Sequence, residues 1–309
     1  MINPQFTVKH WDVLGIGTAA VDDLLYLDRF PHPDSKVPVR EAHRQGGGLT
    51  ATALVAAARL GAKAAYCGLL GEDELSVFTE RELEREGVDC SLCVRSEGGR
   101  PFHSVILVER EGNTRTILYQ PGTIEPPLEA ITADLVASCR VLFIDHNAPN
   151  AGLRAARLAH QTGVPVVADI EVAEFAGLDE FLALADHLIV GQSLAARLCG
   201  QMEPEEQTAM LARSGRACTV ITAGERGCWY SLRGGPVVHQ PAFRVQVVDT
   251  TGCGDVFHGV YAAALAQGEG IPGAIRLASA AAAIKATRPG GRAGIPDRAA
   301  VERFIGEYR

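Results

Sequence analysis

The segment Asp249-Thr250-Thr251-Gly252-Cys253-Gly254-Asp255 opens an Ala-rich helical stretch. Glycines at 252 and 254 permit a backbone nest whose N–H groups converge on an anion. The positive end of the following helix adds to that field. Asp255 then falls in the first turn of the helix, beside the anion pocket. A carboxylate there repels a bound phosphate unless it has a task. The natural task is to accept a proton from an attacking hydroxyl. The alternative is that Asp255 caps the helix, where aspartate is favoured.

Two other glycine clusters are chemically suggestive. Gly46-Gly47-Gly48 precedes a small-residue helix, so a ligand can approach backbone N–H groups there; a flexible connection reads equally well. Gly15-Ile16-Gly17-Thr18-Ala19-Ala20 matches G-x-G-x-x-A after a strand. A dinucleotide fingerprint must then open a helix, and the following residues with Pro31 favour a tight turn instead. No G-x-x-x-x-G-K-[ST] occurs, and none of the four lysines, Lys9, Lys36, Lys63 and Lys285, follows a glycine loop. H-R-D, D-F-G, G-x-S-x-G and H-E-x-x-H are absent as well.

The elements that must position these residues alternate. Short apolar runs at 13–17, 64–70, 141–145, 164–169, 187–190 and 218–222 read as strands. Helical patterns cover 50–60, 74–86, 152–161, 180–185, 194–199 and 205–213. That order predicts βαβ crossovers and an α/β fold with a doubly wound, mostly parallel sheet flanked by helices. Continuously apolar strands fit a sheet buried on both faces. Residues 24–46, broken by Pro31, Pro33 and Pro38, interrupt the rhythm. So do 102–109 and 115–120, which read as two strands around Glu111-Gly112-Asn113. These pieces predict a small antiparallel sheet acting as a lid. Helices are expected at 254–268, 273–287 and 297–308.

The chain has 309 residues, 47% hydrophobic and 21% charged, enough for one large α/β domain. With 29 basic and 37 acidic residues its net charge is −8. No basic block is present, which argues against nucleic-acid binding. No apolar run is long enough to span a bilayer, and the start lacks a signal-peptide pattern. The eight cysteines lie mostly in apolar stretches. Cys90 and Cys93 form a C-x-x-C without partner ligands nearby, which argues against zinc. A cytoplasmic protein with reduced thiols is expected.

Segment 249–255, with Val256-Phe257-His258-Gly259, resembles the second signature of the PfkB (ribokinase-like) carbohydrate kinase family. Gly46–Gly48 through Gly61-Ala62, with Gly68-Leu69-Leu70-Gly71-Glu72-Asp73, resembles its first signature. Thr222-Ala223-Gly224-Glu225-Arg226-Gly227 is similar to its nucleotide-side segment. The order is right and nearly the whole chain is covered. The resemblance implies one ribokinase-like α/β domain over 1–309, with a lid from segments of about 22–46 and 100–121. It implies transfer of the γ-phosphoryl of ATP, with Mg²⁺, to a sugar hydroxyl, usually a hydroxymethyl. Asp255 would be the catalytic base, and the N–H groups of Gly252, Cys253 and Gly254 the anion hole. Asp22 would bind sugar hydroxyls, and Gly47 and Gly48 would line the sugar pocket. Thr52 stands where sugar kinases often carry asparagine. Thr222, Gly224, Gly227, Thr251, Gly252, Gly254, Thr287 and Gly290 would lie near the nucleotide. Asp249 and Thr251 belong to a region that often holds a monovalent cation, K⁺, in such kinases. The N-x-x-E that organises Mg²⁺ is replaced by Gly191-Gln192-Ser193-Leu194, which leaves Gln192 as a neutral partner for water around the ion.

For the substrate, segment 113–119 resembles the lid of ketohexokinases, giving Asn113 and Arg115 as candidate contacts. Segments 239–243 and 289–297 look most like 6-deoxy-6-sulfofructose kinases. A sulfonate needs cationic or donor groups, whereas the segment after strand 141–145 offers Asn147, which is neutral. A neutral ketose or pentose is therefore preferred. A sulfofructose kinase, a nucleoside kinase and a non-catalytic sugar or nucleotide sensor are the alternatives. A homodimer through the lid is expected, with Val105, Leu107, Ile117 and Tyr119 alternating on its strands.

Overall fold

The chain's apolar strands need cover on both faces, and its helices supply it. The computed structural model describes residues 9–112, 114–213 and 215–308. In chain order the first half comprises β1 (Trp11–Ile16), β2 (Ala20–Leu27), β3 (Glu41–Gly47), α1 (Leu49–Arg59), β4 (Ala64–Tyr66), β5 (Leu69–Leu70), α2 (Glu74–Arg85), β6 (Val88–Asp89), β7 (Val94–Arg95), β8 (Phe102–Glu109), β9 (Thr114–Gln120), α3 (Ala133–Ala137), β10 (Cys139–Asp145) and α4 (Pro149–Thr162). Next come β11 (Val166–Asp169), α5 (Leu178–Leu184), β12 (His187–Gly191), α6 (Gln192–Cys199), α7 (Pro204–Leu211), β13 (Cys218–Thr222), β14 (Cys228–Leu232) and β15 (Val237–Gln240). Helices α8 (Cys253–Ala266), α9 (Ile271–Ala286) and α10 (Arg298–Glu307) close the chain.

The main sheet has nine strands in the order β15-β14-β13-β12-β11-β10-β1-β4-β6. Strands from β6 to β13 run parallel, and β14 and β15 add an antiparallel edge. The two faces separate cleanly along β10. Val141 and Phe143 join the core under α1, α8 and α9. Leu142 and Ile144 join the core under α3, α4 and α5. This is the doubly wound arrangement expected from the apolar runs. Among the described residues, no helix is long and apolar enough to cross a membrane.

Several details differ from the sequence reading. The run 64–70 is two strands, because the chain leaves the main sheet at Gly68, where a Cβ would overlap the Tyr66 ring. Strands β14 and β15 were not anticipated, since their mix of polar and apolar residues resembles a loop. The G-x-G-x-x-A turn leads into strand β2 rather than a helix, which removes the dinucleotide reading. The small separate sheet expected as a lid has four strands in the order β3-β2-β8-β9, and its β2–β8 pair is parallel, so the sheet is mixed rather than antiparallel. Its register also splits the four alternating residues. Val105 and Leu107 pair with Leu118 and Thr116, whereas Ile117 and Tyr119 pair with Ile106 and Ser104. Cross-strand partners share a face, so the two pairs point to opposite sides.

Helices α1 and α8 cross closely beneath the sheet. A Cβ at Gly259 would overlap the carbonyl oxygen of Ala53. The obstacle is backbone, which cannot rotate away. Gly259→Ala should therefore cost about 1–3 kcal/mol, the usual price of overpacking. Chemical denaturation checks this; an unchanged midpoint would mean that the helices separate freely.

Candidate functional site

The parallel strands end at one edge of the sheet, and the chain reverses strand order there between β1 and β10. Open α/β sheets bind ligands at such a point. Asp145 ends β10 and is fully buried. Its carboxylate accepts from Thr18 N at 2.6 Å, Thr18 Oγ1 at 3.1 Å, Thr50 N at 3.2 Å, Thr50 Oγ1 at 2.7 Å and Asn147 N at 2.9 Å. One side chain thus ties the exit of β1 to the start of α1. Asn147 is drawn into the same network, its Nδ2 donating to Thr18 Oγ1 at 2.7 Å.

On the lid side, each of the three consecutive glycines has its own reason. A Cβ at Gly46 would overlap the Arg292 guanidinium, and one at Gly47 would overlap Asp22 Oδ2. Gly48 has φ of 92°, a left-handed conformation that glycine adopts at low cost. The sequence could not distinguish ligand approach from a flexible link. The structure shows Gly46 and Gly47 packed against a buried guanidinium and a half-buried carboxylate. Arg292 was missed. It is 7% exposed, and it donates from Nη2 to Gly47 O at 2.7 Å and from Nε to Thr52 Oγ1 at 3.2 Å. Burial lowers its guanidinium to about 10, with Asp22 the largest opposing charge. Burial pushes the Asp22 carboxyl upward, while a hydrogen bond with Ser104 and the Arg292 charge pull it back. Thr52, expected to face a polyol, has its hydroxyl oxygen engaged by Arg292. Nothing in the local pattern Gly290-Gly291-Arg292 marks that arginine as buried.

The segment before α8 forms the expected left-handed entry, with Gly252 at φ of 75° and no side-chain cap. Cys253 N–H donates to Thr250 O at 3.1 Å, closing a turn. It is therefore engaged, contrary to its expected place in the anion hole. Among the described residues, the N–H groups of Gly252, Gly254 and Asp255 have no protein acceptor. The Asp255 carboxylate makes no capping bond, so the capping alternative is not what the helix uses. Burial pushes its carboxyl well above the usual range, and the charges of Asp169, Glu171 and Asp145 add to that. Asp169, at the end of β11, is 3% exposed, and its Oδ2 lacks a hydrogen-bond partner among the described residues. It too is raised, first by burial and then by Glu171 and Asp145. These acids were not singled out in the sequence, because single polar residues at strand ends read as loop.

The nucleotide-side candidates fall into two groups. Thr222, Gly224 and Gly227 form the turn from β13 into β14, closed by Ala223 N–H on Gly227 O at 2.8 Å. Gly290 N–H donates to Asp249 Oδ2 at 2.9 Å, and Thr251 N–H to Asp249 Oδ1 at 2.8 Å. Thr287 Oγ1 turns back onto Ile284 O at 2.7 Å, so its hydroxyl serves the end of α9. Arg115 from the lid touches Thr251 Oγ1 and comes within 3.8 Å of Asp249 Oδ1. It faces the anion loop, neither free in solvent nor turned to Asp22. Asn113 lies outside the described residues. Gln192 begins α6 and makes no side-chain hydrogen bond among the described residues. No three metal-ligating side chains converge among the described residues. The donor set thus does not form a cage for Mg²⁺, which would enter on the phosphates of MgATP. Nor does it offer K⁺ an open pocket at Asp249 and Thr251. The Asp249 carbonyl already accepts Lys285 Nζ at 2.9 Å.

Comparison with known proteins agrees with this geometry. The model of the pfkB family carbohydrate kinases matches residues 12–298. A ribokinase of Haemophilus influenzae is 28% identical over 94% of this chain and 97% of its own length. An ATP-dependent ribose-1-phosphate kinase of Halopiger xanaduensis is 30% identical, covering 96% of this chain and 98% of that protein. Arabidopsis thaliana ribokinase, solved with ribose and ATP, superposes with a TM-score of 0.82 at 22% identity, covering 96% of this chain and 99% of that one. That likeness supports the ribokinase-like fold. With the family match over nearly the whole length, an uncommitted half-buried aspartate and free N–H groups at a helix start, the chain belongs to the pfkB family of carbohydrate kinases, phosphotransferases with an alcohol group as acceptor.

Proposed function

We propose that the chain phosphorylates a hydroxymethyl group of a small neutral sugar, a pentose or a ketose, using MgATP. The observation that carries this reading is the uncommitted Asp255 carboxylate beside the free N–H groups of Gly252 and Gly254. Asp255 accepts the proton of the attacking hydroxyl. The two N–H groups and the α8 dipole stabilise charge on the transferring phosphoryl. Asp22 and the backbone of Gly47 and Gly48 hold the sugar, with Asn147 Oδ1 as a further acceptor. MgATP supplies the phosphoryl group when bound. Thr222, Gly224, Gly227 and Gly290 border the nucleotide.

A neutral sugar is favoured over a sulfo-sugar by the pairing of both nearby arginines. Arg292 is opposed by Asp22 and engaged by Gly47 and Thr52. Arg115 is turned to Thr251 and Asp249. Names of relatives add ribose and ribose 1-phosphate to the candidates. A sensor without turnover would have no use for Asp255. We further propose that the lid face carrying the half-buried Leu25, Val105 and Leu107 and the exposed Leu118 pairs with a second copy, since a partly exposed apolar sheet face favours cover.

ADP release with MgATP should be screened against ribose, ribose 1-phosphate, fructose, tagatose, psicose, sulfofructose, adenosine and inosine. Turnover of one neutral pentose or ketose is expected. Turnover of sulfofructose, ribose 1-phosphate or a nucleoside alone would overturn the substrate reading.

Asp255→Asn should lower kcat by about 10²–10⁴-fold, the usual share of a general base, with sugar affinity nearly unchanged. The wild-type rate should rise with pH along a limb above the ordinary carboxylate range, because the base must ionise against burial and three neighbouring acids. Stability has the opposite sign. A carboxyl raised by folding stabilises the fold at low pH, and that contribution is lost as pH rises through its folded value. Asp255→Asn should therefore melt above the wild type at neutral pH, with the gap closing on acidification. A variant that melts lower at every pH would mean that Asp255 is structural.

Sedimentation should show a dimer at micromolar concentration that Leu118→Glu converts to monomer. A wild-type monomer would remove the lid interface.

A further inference from the structure

Lys285 is one of only four lysines, and its side chain is fully buried in the last turn of α9. Its Nζ donates to the carbonyl oxygen of Asp249 at 2.9 Å. Val248 N–H and Asp249 N–H both donate to Ala286 O, at 2.8 and 3.1 Å, so this segment is stitched to the end of α9. The negative end of the α9 dipole therefore points at the same place. The Asp249 carboxylate lies beside it, bonded to Thr251 N–H and Gly290 N–H. A helix C-terminus, a carboxylate and a carbonyl together create a site that calls for one positive charge. It lies directly ahead of the loop that presents the free N–H groups of Gly252 and Gly254.

We infer that the Lys285 ammonium is a tethered monovalent cation, which fills the place an inorganic ion would take at Asp249 and orders the anion loop without potassium. An ammonium group and K⁺ carry the same charge and are close in radius. Arg115 already stands 3.8 Å from the Asp249 carboxylate, so a third cation would meet repulsion from two. Lys285 is thus a positioning residue. It acts through the Asp249 carbonyl on the loop, with no contact to substrate. A plain helix cap would also put lysine at this end of α9. A cap alone, however, gives no reason for its removal to create a need for potassium.

The test compares wild type with Lys285→Ala and Lys285→Met in buffers of matched ionic strength, with K⁺, Na⁺ or tetramethylammonium. The first readout is melting temperature, which needs no substrate. Wild type should melt alike in K⁺ and Na⁺, and Lys285→Ala should melt higher in K⁺ than in Na⁺, because an ion that binds only the fold stabilises it by mass action. The second is rubidium in crystals, expected at the Asp249 carbonyl in Lys285→Ala and absent there in wild type. The third rests on the kinase reading. Wild-type turnover should change less than about twofold with K⁺, and Lys285→Ala should lose about tenfold and recover it with K⁺. Failure of turnover alone on every sugar would fault the proposed substrate and leave the first two readouts to decide. Potassium-specific stabilisation or activation of wild type, or rubidium bound beside the intact lysine, would overturn the inference. So would a folded Lys285→Ala or Lys285→Met indifferent to K⁺ in melting. If neither variant folds, the wild-type measurements decide.

Discussion

The buried Asp145 carboxylate is the constraint on which the rest of the site depends. Taking such a charge out of water costs several kcal/mol unless donors surround it. Five donors do so, from the turn after β1, the first turn of α1 and the segment after β10. Meeting that requirement fixes three chain segments relative to one another. Gly17 is part of the solution, since a Cβ there would overlap both Thr50 Oγ1 and Asp145 Oδ2. Once β1 and α1 are fixed, β3 must enter α1 through Gly46–Gly48. That path brings Asp22 and Arg292 against the same backbone.

The charges around this edge are not evenly distributed. The side proposed to hold the sugar has a carboxylate opposed by a guanidinium, Asp22 with Arg292. The anion-loop side holds Asp249 between Arg115 and Lys285. Between them, Asp145, Asp169 and Asp255 stand without a lysine or arginine in ion-pair contact among the described residues. Burial first, and then the excess of negative charge, raise Asp255, which makes it a stronger proton acceptor once ionised. In the proposed reaction the free N–H groups of Gly252 and Gly254 meet the opposite demand, charge that grows on a phosphoryl group. Base and anion hole are thus separated by only one helical turn and kept distinct by the αL residue at Gly252.

The main sheet was legible because its strands are continuously apolar, a pattern that only double burial explains. The run 218–222 was bounded correctly, and 141–145 missed only the first two residues of β10. The edge strands β14 and β15 were not legible, since Cys228–Leu232, though mostly buried, carries Ser231, and Val237–Gln240 is half-solvated and carries His239 and Gln240. The anion loop was legible because glycine spacing reports backbone conformation directly. Arg292, Lys285 and Asp169 were not. Burial of a polar side chain is decided by what folds over it from elsewhere in the chain, and each sits where a solvated residue would be equally at home. Lys285 in particular reads locally as an ordinary cation at a helix C-terminus.

The lid shows how finely register is held. Asp22 and Asp23 are neighbours on β2, so their side chains point to opposite faces. Asp23 is gripped by Arg44 at 2.7 and 3.0 Å and by His103 at 2.8 Å, and Arg44 continues to Glu74 on α2 at 2.6 Å. Arg44 and His103 lie directly opposite Asp23 and Val21 in the ladders with β3 and β8. A slip of one residue would exchange the two carboxylates and carry Asp22 away from Arg292. The ion pair on the outer face adds little stability of its own, being partly solvated. Its consequence is positional. By holding Asp23 outward it leaves Asp22 as the carboxylate that faces the site, against Gly47 and opposite Ser104.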